Sequence, residues 1–326
     1  MPNWHRSTAI AYAAVLLGVF GHASSEFVAV LTALPGPEAA VWRFGLGGLG
    51  LVVLALCFPA SRDLLTPLRR DGRRLSAIAF LGVTLPYIAF HWSLDFATVP
   101  QVATLITGIP IFVALLAATV DRERVSRARM ATGALAMAGV AALLTDGYLA
   151  ELAGARHNLF GVLLVTVSAA GAAAYVVAIR PLALAYGALR VTAITMALGG
   201  IGAWLAVGAF WGRWVDPAAI AVLPRASVAA ILAMALFNTT ITQFVWIGGL
   251  AALPDMTRGA YLFFLKPVIA AALAVAFLGT SLSALQIAAA VFICSTVLVE
   301  IAWPRLTRFA RGRASGRSRP QAPPPR

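Results

Sequence analysis

The chain is a series of long apolar runs broken by short polar, Pro/Gly or arginine-rich intervals. A helix needs roughly twenty apolar residues to cross a bilayer core. By that criterion spans are predicted over about 8–32, 38–58, 75–96, 99–119 and 129–145, then over about 159–179, 191–211, 228–249, 256–278 and 284–303. Hydrophobic residues occupy every face of these runs, whereas a helix lying on a surface keeps one polar face. Leu34-Pro35-Gly36-Pro37 and Leu253-Pro254-Asp255 leave so little chain between runs that the flanking helices are expected to be antiparallel neighbours. The expected fold class is an all-α polytopic membrane protein with ten transmembrane helices.

Five spans per half is an odd number, so the second half is expected to enter the membrane in the opposite sense to the first, as two inverted five-helix repeats. Two landmarks agree with this: Pro110 to Pro267 and Ser126 to Ser283 are both 157 residues apart. The predicted units are therefore 8–145 and 159–303. The segment 304–326, rich in Arg, Ser and Pro, is expected to be a disordered basic arm near anionic headgroups.

Composition removes the soluble alternative. Hydrophobic residues make up 61% of the 326, against about 45–50% in soluble domains, and the mean hydropathy is +0.88. A net charge of +13 would suggest a polyanion partner in a soluble protein, but the positions of the charges change its meaning. With the N-terminus inside, nineteen of the 25 cations fall in cytoplasmic segments and three (Arg156, Arg213, Arg225) in external ones. The excess thus reads as a topological signal: a multi-pass protein of a bacterial inner membrane with both termini cytoplasmic, in contact with the lipid bilayer and not with nucleic acid. Met1 to Gly21 resembles a signal peptide, yet nine further spans favour an uncleaved first helix. Cys57 and Cys294 lie within apolar runs, without CxxC spacing, and are expected to be buried thiols.

Four motifs carry a resemblance over about residues 8 to 302. They are Trp42-Arg43-Phe44 opening the second helix; Phe96-Ala97-Thr98-Val99-Pro100 leading to Pro110; Glu123-Arg124-Val125-Ser126 followed by Gly133 and Gly139; and Phe277-Leu278-Gly279-Thr280-Ser281-Leu282-Ser283. In this order and spacing the chain resembles the ten-helix EamA-like branch of the drug/metabolite transporter superfamily. Thr280 stands where Glu is usual, and Lys266 where an acidic or polar residue often precedes the proline. The resemblance implies a secondary transporter, and export of a small organic solute such as an amino acid, metabolite or drug-like compound by alternating access. No Walker or GxGxxG pattern occurs in a cytoplasmic segment, so no ATP and no other cofactor is expected.

Ionisable groups at membrane depth are rare because each costs about 2.5–3.5 kcal/mol at a helix centre. His22 and Glu26 are four apart on the first helix, His91 and Asp95 four apart on the third, so each pair shares a face, and Arg43 begins the second helix at the same external level. Three readings stay open for this cluster: an ion-pair network centred on Arg43, a proton-coupling or external passage for solute, or a metal site. The last would make the chain a membrane-embedded metal-dependent enzyme using His22/Glu26 and His91/Asp95.

Lys266, the single lysine, adjoins Pro267 about halfway along the ninth helix. The proline should kink the helix and free a carbonyl, and Pro110 should do the same in the fourth. A buried ammonium there suits an anionic substrate group, or else snorkels to water or pairs with a carboxylate. Asn238, Thr239, Thr240, Thr242 and Gln243, with Trp246, form a polar stripe that reads either as interhelical glue or as substrate contacts. Tyr87, Trp92 and Tyr261 add aromatic surface. Substrate is therefore expected at Lys266, Trp92, Tyr87, Asn238, Gln243, Trp246 and Tyr261, in a cavity between the third, fourth, eighth and ninth helices.

Overall fold

A computed structural model describes residues 7–97, 99–120, 127–145, 156–278 and 281–316, with side chains except those of 26, 30, 99–100, 127–128, 156–158, 277–278 and 303–316. Arg6, Thr98, the Glu123-Arg124-Val125-Ser126 cap, Gly279-Thr280 and the Glu26 side chain lie outside the described residues.

These residues form ten helical rods: α1 (Thr8–Ala23, continued by Ser25–Leu31), α2 (Gly36–Cys57), α3 (Leu65–Ala79, Phe80–Thr84 and Leu85–Ser93), α4 (Val99–Ile106 and Ile109–Val120) and α5 (Arg127–Thr145). The second set is α6 (Arg156–Tyr186), α7 (Ala188–Trp211), α8 (Arg225–Ala235, Leu236–Ile241 and Thr242–Ala252), α9 (Met256–Ala260, Tyr261–Leu265 and Lys266–Leu278) and α10 (Ala284–Gly316). Among the described residues nine helices are long and apolar enough to cross a membrane; in α5 only Arg129–Thr145 is apolar. The protein is a multi-pass membrane protein.

Several ends differ from the hydropathy reading. α3 starts at Leu65, ten residues early, so Arg69, Arg70, Arg73 and Arg74 are helical and not in a loop. An apolar window misses this piece because it is amphipathic, with Pro67 and Leu75 buried beneath the arginines and non-helical angles at Asp71. α10 continues past 303 to Gly316, into the segment read from composition as an arm, and 317–326 lie outside the described residues. The cysteines correct an expectation: Cys57 is exposed and Cys294 half-buried, because both lie on outward sides of their helices, where an apolar run faces lipid as readily as protein.

The helices depart from α geometry at related places. α3 and α8 each contain a π turn, Phe80–Thr84 and Leu236–Ile241, so the 157-residue offset of the two prolines also superposes these widened turns. In α8 the threonines take up the carbonyls that such a turn loosens: the hydroxyls of Thr239, Thr240 and Thr242 donate to the carbonyls of Met234, Ala235 and Phe237. α4 breaks at Thr107-Gly108, just before Pro110. In α9, Pro267 has no N–H to give the Phe263 carbonyl four residues back. The Lys266 N–H bonds that carbonyl instead, ending a 3-10 stretch over Tyr261–Leu265.

Packing follows the same pairing. α1 lies along α8 as α6 lies along α3, α6 touches α4 as α1 touches α9, and α2 pairs with α7 and α5 with α10. Each contact therefore has its counterpart with the two halves exchanged, which places the interface between the halves at the centre of the molecule. The α2–α7 contact depends on glycine. A Cβ on Gly200 would fall 2.5 Å from the Phe44 carbonyl oxygen, and one on Gly48 2.8 Å from that of Met196, and backbone cannot swing aside as a side chain does. Gly200→Leu is expected to cost about 1–3 kcal/mol or more through overpacking, read as a lower unfolding midpoint of the purified protein. An unchanged midpoint would show that the two helices are not in backbone contact.

Candidate functional site: a cationic cavity between the two halves

A cavity with about 550 Å³ of space between atoms lies where the two halves meet. Only about 40 Å³ of it is open to the centre of a water-sized sphere, room for about three waters. Its walls come from α1 (His22, Ser25), α2 (Arg43), α3 (Tyr87, Phe90), α4 (Ile106, Ile109), α6 (Ser168, Ala172, Tyr175, Val176), α8 (Gln243, Trp246) and α9 (Phe263, Lys266). α3, α4, α8 and α9 contribute as expected from sequence. α1, α2 and α6 contribute as well.

Arg43 is 1% exposed. Its Nε donates to Thr239 Oγ1 at 3.1 Å and its Nη2 to the Asn238 carbonyl at 3.3 Å, while its guanidinium lies 5.2 and 5.7 Å from the ring centres of Phe44 and Tyr87. Both acceptors lie in the π turn of α8. His22 meets Trp246 and Phe263 edge-on, at 5.7 and 5.4 Å between ring centres, and its buried Nε2 has no hydrogen-bond partner among the described residues. Lys266 is buried, with its Nζ 5.6 Å from the Phe263 ring centre. Gln243 Nε2 donates to the Tyr87 hydroxyl at 2.7 Å, joining α8 to α3 across the cavity.

Other residues singled out in the sequence lie away from this cavity. Asn238 is interhelical glue: its Nδ2 donates to the Gly21 carbonyl at 2.6 Å and to Ser24 Oγ at 2.8 Å, satisfying the backbone where α1 breaks. Trp92 belongs to a separate aromatic group with Phe96, Phe160 and Trp211. Tyr261 donates its hydroxyl to the Arg129 carbonyl. His91 is buried against Phe90, with neither ring nitrogen partnered among the described residues. Among the described residues Arg43 makes no ion pair: it bonds neutral acceptors, Asp95 bonds a backbone amide, and the Glu26 side chain lies outside the described residues. Among the described residues no three His, Cys, Asp or Glu side chains gather as a metal site would require. Tyr175 and Ser168 were missed; the sole tyrosine of an apolar run was a signal for the first, and nothing marked the second.

Asp95 caps a helix. α2 has no side-chain cap from its own preceding residue, and Asp95 Oδ1 accepts the Gly36 N–H at 3.3 Å, placing a carboxylate at a helix N-terminus. Burial raises its pKa above the ordinary carboxylate value, opposed by the Gly36 N–H. The native state therefore holds this proton more tightly than the unfolded chain, and stability from this group falls as pH rises from the unfolded to the folded pKa. Asp95→Ala should cost about 0.5–2 kcal/mol. Asp95→Asn should keep the acceptor and abolish the pH slope; equal midpoints for both variants would remove the capping role.

A charge cluster closes the arginine-rich end. Arg129 of α5 pairs with Asp255 at 2.9 Å and Glu300 of α10 at 3.0 Å, and Arg258 of α9 approaches the same two carboxylates at 3.3 and 3.6 Å. Asp255 also caps α9 by accepting the Arg258 N–H. At the other end only Arg213 and Glu38 pair among the described residues, with Arg213 exposed to solvent or headgroups, where a pair contributes little.

The repeated architecture has a counterpart in known proteins. A model of the EamA-like transporter family matches residues 9–145 and, separately, 159–301. The chain belongs to the EamA-like transporter family. Each match covers one five-helix set, so the central cavity lies between two EamA-like units, and membership points to a transporter rather than an enzyme. The uncharacterized transporter YetK of Bacillus subtilis (strain 168) is 25% identical over 219 residues, 67% of this chain and 64% of its own length. The match thus spans less than two thirds of that relative. A crystal structure aligns with a TM-score of 0.71 at 19% identity, over 92% of this chain and 96% of its own, which shows a shared fold.

Proposed function

We propose that this EamA-like chain is a secondary transporter, an exporter, that moves a small organic solute by alternating access without ATP. The observation that carries the reading is the cavity at the interface of the two halves, lined by counterpart helices α1 and α6, α3 and α8, α4 and α9. Transporters built from inverted repeats bind substrate at such an interface, beside broken helices; here α4 and α9 break immediately before the cavity-lining Ile109 and Lys266. Ten spans with both termini cytoplasmic, in a bacterial inner membrane, account for the distribution of arginines. The cluster of Arg129, Asp255, Arg258 and Glu300 then lies on the cytoplasmic side and holds that side shut. The tightness of the cavity fits a state in which a solute must wait for the halves to move.

The test is counterflow in proteoliposomes preloaded with phenylalanine, 3-phenylpropionate, uracil, glucose or choline, with and without a pH gradient. Accumulation of the labelled form of at least one solute is expected. Leakage equal to empty liposomes for every solute, by protein that retains its fold, would refute the reading.

A further inference from the structure

We propose that the transported solute is an organic anion, a small carboxylate with an apolar, preferably aromatic body, whose carboxylate docks at Arg43. The inference rests on the transporter reading and adds the substrate's chemistry.

Charge carries it first. The described cavity wall holds the guanidinium of Arg43 with two further basic side chains, His22 and Lys266, and no Asp or Glu. Burying a guanidinium costs several kcal/mol unless an anion compensates. Arg43 is almost fully buried, yet among the described residues no carboxylate lies within 4.0 Å of it. Its partners are a threonine hydroxyl and a backbone carbonyl. These orient the guanidinium without neutralising it, and the rings of Phe44 and Tyr87 offset only part of the cost. A carboxylate matches the planar donor fork of arginine with two parallel hydrogen bonds, as a phosphate also does, and the rest of the wall decides between them.

Hydrogen bonding adds a second, independent reason. His22 is 8% exposed, lines the cavity, and keeps its buried Nε2 without a partner among the described residues. An unsatisfied buried polar atom costs about 1–3 kcal/mol, and a ligand oxygen entering the cavity would satisfy it. The remaining wall sets the body of the ligand. Tyr87, Phe90, Tyr175, Trp246 and Phe263 present rings to the cavity, which favour a flat apolar group over a hydrated one. Inorganic phosphate fits the charge but not this wall. A primary amine fits the wall but meets the wrong charge, and a zwitterionic amino acid brings an ammonium for which the described wall supplies no carboxylate.

The experiment is calorimetric titration of the full-length protein in nanodiscs with compounds on one skeleton: 3-phenylpropionate, 3-phenyl-1-propanol, 3-phenylpropylamine and phenylalanine, with inorganic phosphate as the bare anion. The wild-type protein is expected to bind 3-phenylpropionate at least tenfold more tightly than any of the others. That preference should vanish in Arg43→Gln and persist in part in Arg43→Lys. The wild-type order decides even if Arg43→Gln does not fold. Amine, alcohol or phosphate binding as tight as the carboxylate, or no binding of the carboxylate, would overturn the assignment. Carboxylate binding without flux of any solute would refute transport and leave the anion site standing; flux of amines or alcohols without carboxylate preference would do the reverse.

Discussion

Arg129→Gln should destabilise the folded protein by about 3 kcal/mol, within the range seen when one member of a buried ion pair is removed. Arg129 and Glu300 are 12% and 7% exposed, Asp255 29% and Arg258 17%, so most of the cluster is withdrawn from solvent. As it stands, two arginines balance two carboxylates. Without Arg129, Asp255 and Glu300 share Arg258 alone, and α5 loses its ionic tie to α9 and α10. The Arg129→Gln/Glu300→Gln double variant restores the balance and is expected to be less destabilised than the sum of the single variants, by about 1 kcal/mol or more of coupling. Unfolding of the four proteins in a double-mutant cycle measures this. Additive effects would mean that the four charges act separately.

The second large effect concerns transport. Lys266→Ala is expected to lower flux through proteoliposomes at least tenfold, because the ammonium lines the cavity and a hydrogen bond to a charged group contributes about 1.5–3 kcal/mol, ten- to a hundredfold or more in binding. Lys266→Arg, keeping the charge, should retain a larger share of flux than Lys266→Ala. Size-exclusion profile and unfolding midpoint separate loss of transport from loss of fold. Wild-type flux by Lys266→Ala, for every solute that the protein moves, would take this residue out of the substrate path.

Much of the helical layout was legible because membrane burial demands long apolar runs, and the breaks before Pro110 and Pro267 were legible because proline cannot donate the bond that a helix requires. The errors have physical causes too. An arginine-bearing amphipathic turn at the start of α3 looks like a loop to any hydropathy average. Lys266, Tyr87, Gln243, Trp246, His22 and Arg43, singled out by their chemistry, line the cavity. Asn238, Trp92, Tyr261, His91 and Asp95 are equally polar or aromatic, yet they hold α1, cap α2 or pack elsewhere. Which face of a helix meets the cavity depends on rotations and on π turns that no residue type announces. Gly171 of α6 packs closely on α3, where a Cβ would meet Pro86. Its neighbour Ala172, however, faces the cavity.

That alanine offers the most direct test that solute passes between the two halves. Ala172→Phe places a ring in the cavity, whereas Leu163→Phe alters a residue of the same helix that is 55% exposed on its outer side. In counterflow assays on folded protein, Ala172→Phe is predicted to stop movement of every solute carried by the wild type, and Leu163→Phe to leave it unchanged. Wild-type flux through the Ala172→Phe protein would contradict a route through this cavity.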